Sequence, residues 1–136
     1  MYTIRKQFKF EMSHQLVEAY SCACSDAIHG HSYIMELFLT DDKLDHTGML
    51  MDFGEVKAKI NEYVDGWDHC LVMSNEFPHE YLEMLQLYNK KMKVVPYNPT
   101  AEEMARDMYY HIKKIIPSVS KVRLHETTTG WAEYYE

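Results

Sequence analysis

The chain has 136 residues, with 14 basic against 21 acidic side chains and a formal net charge of −7 at pH 7. Binders of nucleic acid or of anionic membranes present basic faces, so this balance argues against both classes, and no apolar run approaches the about 20 residues of a membrane helix. The length fits a single domain over residues 1–136. Its three cysteines cannot all pair within one chain, which favours a reducing, cytoplasmic setting.

Two strands are predicted near the start of the chain, because residues alternate there with the period of a strand. In the first strand one face carries apolar side chains, namely Phe8, Phe10 and Met12. His14 continues that face to the end of the strand. The second strand runs from His29 to Leu39 and has apolar residues in both phases, which is typical of a strand covered on both faces. Residues 17–28 between the strands show no regular pattern.

Two amphipathic helices are predicted farther along the chain, and each begins with a capping box. Asp52 and Glu55 form the first box, and Thr100 and Glu103 form the second. Apolar residues follow both boxes at helical spacing. Gly66 is predicted to end the first helix.

Residues 67–98 are the least regular part of the sequence. A short helix is predicted from Tyr81 to Tyr88, and a brief extended piece at 93–96. Two more strands, near 119–126 and 131–135, close the chain. The order strand, strand, helix, irregular insert, helix, strand, strand favours an α+β domain with a mostly antiparallel sheet and its helices on one face.

The sharpest local signal is the tripeptide His29-Gly30-His31. Residues i and i+2 of a strand project from one face, so the two imidazoles can converge on one ion, and Gly30 leaves the other face bare. His14 adds a third nitrogen if the first two strands pair. Three neutral imidazoles suit zinc and leave a fourth coordination position open for water or substrate. The competing interpretation is two histidines bonded to backbone or water near a loop.

Cysteines and an acid–histidine pair add further candidates. Cys22 and Cys24 are zinc ligands, a redox pair, or a nucleophile beside an inert neighbour, and passive burial competes with all three. In the pair Asp68-His69 a carboxylate can orient the imidazole and raise its basicity. Sequence neighbours point apart in regular structure, so a direct bond within this pair needs a bend, which Gly66 could allow.

A carboxylate occupies the predicted buried face of the strand near 119–126. Glu126 follows Val122 and Leu124 in that phase. Burying it is costly without a partner. Glu126 therefore either accepts paired N–H donors of a ligand bidentately or lies where the strand has already emerged into solvent.

Several stretches of the chain, taken in order, resemble the 6-pyruvoyl-tetrahydropterin synthase and 6-carboxytetrahydropterin synthase family. Each stretch is weak alone, but the ordered set is highly specific and covers nearly the whole chain. The stretches are Phe8-Lys9-Phe10-Glu11-Met12-Ser13-His14, Cys24 with His29-Gly30-His31-Ser32-Tyr33, Thr47-Gly48-Met49-Leu50-Met51-Asp52-Phe53, Asp68-His69, Asn98-Pro99-Thr100-Ala101-Glu102 and Glu126-Thr127.

This resemblance implies the tunnelling fold, in which a four-stranded antiparallel sheet is backed by two helices and the subunits join their sheets into a barrel. It implies one zinc ion per subunit, held by His14, His29 and His31. It also implies a homo-oligomer, usually a hexamer, with active sites between subunits.

The resemblance further implies a reaction on a pterin triphosphate, 7,8-dihydroneopterin triphosphate. Cys24 matches the catalytic cysteine of the family, and Asp68 and His69 match its other proton-transfer residues. Glu126 matches the glutamate that anchors the pterin ring.

The chain departs from the family pattern at several positions. Cys24 lies five residues before His29, where the family spacing is four or six, and Cys22, seven before, is a second candidate for the catalytic thiol. Gln15 stands where relatives often have arginine. Residues 75–97 form a longer segment than in short bacterial relatives, with tyrosines that the pattern does not explain, Tyr81, Tyr88 and Tyr97.

Several functions compete under this resemblance. The first is 6-carboxytetrahydropterin synthesis for queuosine-type 7-deazaguanines, and the second is 6-pyruvoyl-tetrahydropterin synthesis. A third is side-chain cleavage feeding folate synthesis, whose enzymes carry glutamate in place of the cysteine, so Cys24 argues against it. The last is a non-catalytic zinc- or pterin-binding module, in which the histidines staple the fold and removal of zinc unfolds the chain.

Overall fold

A computed structural model describes all residues, 1–136, as six strands and four helices. The strands are β1 (Tyr2–His14), β2 (His29–Asp41), β3 (Cys70–Ser74), β4 (Met92–Val95), β5 (Val119–His125) and β6 (Trp131–Tyr135). The helices are α1 (Cys22–Ser25), α2 (Phe53–Trp67), α3 (His79–Tyr88) and α4 (Ala101–Ile115). None of the helices is both long and apolar enough to cross a membrane.

The strands form one mixed sheet in the order β4-β3-β1-β2-β5-β6. The pairs β1–β2, β2–β5 and β5–β6 are antiparallel, whereas β3 runs parallel to both β1 and β4. The predicted α+β class is confirmed. The four-stranded antiparallel sheet with two helices is wrong, because two parallel strands extend the sheet beyond β1 and two further helices precede and connect strands.

The strand that the sequence did not reveal is β3. All of its five residues are buried, so it has no alternation of polar and apolar side chains to mark it. The predicted short helix and extended piece on either side of residue 90 are present as α3 and β4. A parallel partner for β3 needs a crossover, and α3 supplies it.

One apolar core of 24 buried residues joins the sheet to α2 and α4. Phe8, Phe10 and Met12 enter it from β1, as their alternation predicts, and Val122 and Leu124 enter it from β5. The two long helices therefore cover the same sheet face, and His14 continues that face at the end of β1.

The start of each long helix is capped as predicted. A carboxylate oxygen of Asp52 accepts hydrogen bonds from the backbone N–H groups of Gly54 and Glu55, at 2.8 and 3.3 Å. The predicted stop at Gly66 is wrong by one residue, because the helix continues to the buried side chain of Trp67. The chain leaves the helical path at Asp68, whose backbone is extended, and His69 follows with a φ of 58°.

The opposite face of the sheet contains a buried carboxylate. Glu36 accepts hydrogen bonds from Arg5 and His125, each at 2.5 Å, and Arg123 lies 3.7 Å away. Burial favours a raised pKa for Glu36, but these hydrogen bonds and cationic partners outweigh it and hold the pKa below the usual range. Each strand face near the site thus has its own chemistry: apolar toward α2 and α4, charged on the other side.

Candidate metal centre and active site

Three histidines converge where β1 and β2 pair. The antiparallel register sets His14 directly opposite His29, and His31 follows on the same face. The Nε2 atoms of His14 and His29 are 3.1 Å apart, and one ring nitrogen from each of the three residues lies within 4.8 Å of the others. Nitrogen ligands about 2.0–2.1 Å from a tetrahedral zinc ion are about 3.3 Å from each other. The group therefore has the dimensions of a three-histidine zinc site.

Backbone carbonyls fix which nitrogen each imidazole presents. His14 Nδ1 lies 2.8 Å from the carbonyl oxygen of Pro99, and His29 Nδ1 lies 3.1 Å from that of Ala27. A carbonyl only accepts, so both Nδ1 atoms carry the proton and both Nε2 atoms present lone pairs to each other. His31 Nε2 is buried and has no hydrogen-bond partner. A cation bound by all three would satisfy these nitrogens, so the residues fit zinc.

Burial keeps the metal-free site in the form that binds a metal. It lowers the pKa of His14 to about 4. The hydrogen bond to Pro99 raises the pKa and opposes this effect, whereas the positive charge that His29 and His31 can carry lowers it further. The His14 imidazole is therefore neutral at pH 7, which is the state that coordinates zinc.

We expect this shift to make the metal-free protein less stable in mild acid. Above pH 6.5 His14 is neutral in both the folded and the unfolded protein. Below pH 6.5 the unfolded chain binds a proton at His14, whereas the folded protein does not bind it until about pH 4. The free energy of unfolding then falls with falling pH by at most about 3 kcal/mol. Urea unfolding between pH 4 and 7 measures this slope. The control is His14→Gln, which should lose it; equal slopes would refute the assignment.

Glu126 lies beside the histidines, just past the end of β5. One of its carboxylate oxygens is 3.7 Å from His31 Nε2, and its side chain is about one-third exposed. Glu126 thus follows Val122 and Leu124 onto the inner face while remaining open to solvent. It does not belong to the group of mutually close nitrogen atoms, so a tetrahedral ion held by the three histidines would keep one open coordination position.

A cavity of about 320 Å³ opens at Glu126. That volume is at the lower end of small-molecule sites. The turn after Glu126 closes one side, where Thr127 Oγ1 accepts the N–H of Gly130 at 3.1 Å. The remaining lining residues mix apolar and polar groups, and they are Leu16, Thr100, Ala101, Glu102, Trp131 and Ala132.

Two of the three free cysteines are linked to β1 or to its end, Cys70 by strand pairing with Met12 and Cys24 by a backbone hydrogen bond. The carbonyl of Cys24 accepts the N–H of Leu16 at 2.9 Å, two residues after His14, and the Cys24 side chain is half-buried. Cys22 is exposed in the same short helix α1. Cys70 is buried in β3, and burial raises the pKa of its thiol, which makes it inert.

Asp68 and His69 form a direct pair. The Asp68 carboxylate is 3.0 Å from His69 Nδ1, and its other oxygen accepts the backbone N–H of Glu11 at 2.8 Å, which lowers the pKa of Asp68. The bend that lets neighbours meet is the left-handed backbone of His69 itself; Gly66, suspected from the sequence, is still within α2. The His69 side chain is 76% exposed.

The candidate site residues lie on both faces of the sheet. His69 lines a cavity of about 390 Å³ with the cross-strand pairs Glu11–Ser32 and Ser13–Gly30, and the cavity also touches Met12 and His31. Those two pairs alternate along β1 and β2 with the pairs that carry the three histidines. The cavity at His69 therefore lies mainly on the sheet face opposite to the three histidine side chains and reaches them only at His31, whereas Glu126 lies beside them.

The backbone carbonyls of Pro99 and Ala27 are functional groups that sequence reasoning missed. They hold two of the imidazoles, yet a carbonyl is common to every residue type. The tripeptide spacing pointed to the metal ligands, but no residue pattern points to their supports.

The fold and the three-histidine group together define an α+β protein that could bind a metal ion next to Glu126, a residue that also lines a small-molecule-sized cavity. The chain belongs to the 6-pyruvoyl tetrahydropterin synthase family, whose model matches residues 3–136. The family expected from the sequence is thereby confirmed.

Relatives and a solved structure agree with this placement. A 6-carboxy-5,6,7,8-tetrahydropterin synthase of Haemophilus influenzae is 33% identical, with both chains covered completely. One of Helicobacter pylori is 29% identical over 97% of this chain and 72% of its own length. The structure of Caenorhabditis elegans 6-pyruvoyl tetrahydropterin synthase superposes with a TM-score of 0.73 at 19% identity, covering 99% of this chain and 95% of the other.

Proposed function

We propose that this chain, as one domain over residues 1–136, is a zinc-dependent lyase of the cytoplasm. It converts 7,8-dihydroneopterin triphosphate and water to 6-carboxy-5,6,7,8-tetrahydropterin, acetaldehyde and triphosphate, a step toward queuosine and related 7-deazaguanines. The observation that carries the proposal is the three-histidine group next to Glu126, which lines a cavity of small-molecule size. The names of the Haemophilus and Helicobacter relatives support the choice of product.

His14, His29 and His31 would hold one zinc ion per subunit, which as a Lewis acid would polarise the substrate side-chain oxygens and acidify the neighbouring C–H bonds. The chain's own residues then perform the proton transfers. Cys24 removes a proton as thiolate, and His69, oriented by Asp68, returns one. The Asp68–His69 contact of 3.0 Å supports that orienting role.

Glu126 would anchor the pterin. A carboxylate at the mouth of a cavity can accept the two parallel N–H groups on the amino-pyrimidine edge of the ring, which fixes the side chain relative to the metal. The 3.7 Å distance from Glu126 to His31 supports this, because it sets the anchor and the metal ligand side by side.

We expect Glu126→Gln to raise KM about 10- to 100-fold and to leave zinc content unchanged, because it removes a charge-assisted hydrogen-bond pair worth about 1.5–3 kcal/mol. Steady-state kinetics and metal analysis measure the two effects. The control is Glu62→Gln, an exposed glutamate of α2 outside the cavity, which should change neither KM nor zinc content. Loss of zinc from Glu126→Gln would instead make Glu126 a metal ligand.

The protein would work as a homo-oligomer, a hexamer whose sheets join into the barrel of the tunnelling fold, with sites shared between subunits. His69 lines a cavity with Glu11 and Ser32, whose side chains lie on the sheet face opposite to the three histidine side chains, and this supports sites that are completed by another subunit. Mixing inactive His69→Ala with inactive Cys24→Ala protein tests this. Partial recovery of activity after subunit exchange is expected, and no recovery would place all residues in one subunit.

The decisive experiment is incubation of the zinc-loaded protein with 7,8-dihydroneopterin triphosphate and mass spectrometry of the products. A carboxypterin with acetaldehyde supports the proposal. A pyruvoyl product would support 6-pyruvoyl-tetrahydropterin synthase, the second candidate, which the fold shared with the Caenorhabditis elegans enzyme favours. No turnover by fully zinc-loaded protein would refute both and leave a binding module.

A further inference from the structure

We infer that the hydrogen bond from Tyr81 to Gln15 holds the short helix that carries Cys24 in place, so that Tyr81 and Gln15 are positioning residues of the active site. The inference rests on the proposed function, because it concerns the thiol that the proposed reaction uses. It joins the two departures from the family pattern that the sequence leaves unexplained, the glutamine after His14 and a tyrosine of the longer segment 75–97.

Gln15 is the centre of the arrangement. Its buried side chain directly follows the metal-ligand position His14. The Nε2 atom donates to the carbonyl oxygen of Ser25 at 2.8 Å, and the Oε1 atom accepts the hydroxyl of Tyr81 at 2.6 Å. Both ends of a buried amide are thus satisfied, and removing either partner leaves a polar atom without one.

The helix that Gln15 holds has little other support. α1 has four residues, Cys22–Ser25, with none buried and no side-chain cap at its start. Its other ties are backbone hydrogen bonds, chiefly Leu16 N–H to the carbonyl of Cys24 at 2.9 Å. With no apolar packing to fix α1, its hydrogen bonds to residues 15 and 16 set where Cys24 lies relative to the metal group.

Tyr81 connects this segment to α3. Its ring lies edge to face with Phe77, with centroids 5.5 Å apart, and its hydroxyl reaches 66 residues back along the chain to Gln15. None of the residues of α3 is buried, so the helix contributes no side chain to the core. The Tyr81 hydroxyl instead ties this helix to the thiol-bearing segment.

Loss of this tie is expected to change catalysis more than binding. Tyr81 makes neither a hydrogen bond nor an aromatic contact with the three histidines or Glu126, so zinc and the pterin ring should still bind. A displaced thiol misaligns the proton transfer, and small misplacements of a catalytic group cost up to about 100-fold in rate. We therefore expect Tyr81→Phe to lower kcat about tenfold, with KM within about twofold.

The test measures the reactivity of Cys24 as well as activity. In a Cys22→Ser background, which removes the exposed thiol, the alkylation rate of Cys24 by iodoacetamide is compared with and without Tyr81→Phe. A loosened α1 should raise that rate several-fold at unchanged zinc content. The matched control is Tyr88→Phe on the same helix, which is 78% exposed and should change neither the rate nor kcat.

A double-mutant cycle identifies the partner. If Tyr81 acts through Gln15, then Tyr81→Phe should have no further effect on alkylation in a Gln15→Met protein. An alkylation rate that Tyr81→Phe leaves unchanged, or additive effects in the double variant, would overturn the inference. If no variant turns over the pterin triphosphate, the proposed function fails, while the alkylation rates still decide the role of Tyr81.

Discussion

Replacement of Cys24 by alanine is expected to lower kcat by about 10³-fold while the zinc remains bound. A positioned acid or base contributes about 10²- to 10⁴-fold, and no other free thiol is both accessible and tied to the metal-bearing strand. Turnover of the pterin triphosphate gives the rate, and metal analysis gives the zinc content.

The control for this substitution is two residues away. Cys22→Ala should retain near-normal kcat, because that side chain is exposed and the backbone bond to Leu16 belongs to Cys24. If Cys22→Ala abolishes turnover and Cys24→Ala does not, the catalytic thiol is Cys22. If both remain active, proton removal does not use a cysteine of α1.

Removal of zinc is expected to abolish turnover and to leave the fold in place. The core of 24 buried apolar residues does not include the three histidines, so we expect it to hold the fold without a metal, unlike the core of a domain that zinc staples together. Activity should fall by more than about 10³-fold after chelation and return when zinc is added back. The far-ultraviolet circular dichroism spectrum of the metal-free protein should keep the shape of the spectrum of the zinc-loaded protein.

The same result is expected from a ligand variant. His31→Ala should lose zinc and activity together, since it removes one of three protein ligands. His79→Ala, an exposed histidine paired with Glu83 on α3, is the matched control and should retain both. A metal-free protein that unfolds cooperatively at room temperature would favour the stapling role over the catalytic one.

The convergence of the three histidines was predictable from the sequence because the information for it is local. Two histidines at i and i+2 share a strand face whatever the rest of the fold is, and His14 needed only the pairing of adjacent strands. Glu126 was recognisable as a carboxylate in an apolar phase. Each of these signals depends on one strand and its period.

The features that the sequence did not predict depend on the packing of segments that are far apart in the chain. β3 is buried throughout and carries no period, and its parallel partner lies across α3. The location of the cavity at His69, mainly on the sheet face opposite to the three histidine side chains, follows from how β3 pairs with β1, which no pattern within residues 67–98 records. The contact between Gln15 and Tyr81 joins residues 66 positions apart and has no signature in either segment.

The left-handed backbone of His69 implies a trade between stability and activity. A residue with a Cβ atom at φ 58° destabilises the fold by about 1 kcal/mol or more relative to glycine. The contact between the exposed His69 imidazole and Asp68 offsets little of this cost. The protein thus tolerates a destabilising residue at the position where the proposed reaction needs a proton donor. His69→Gly is therefore expected to unfold at a higher temperature than the natural protein while losing its activity.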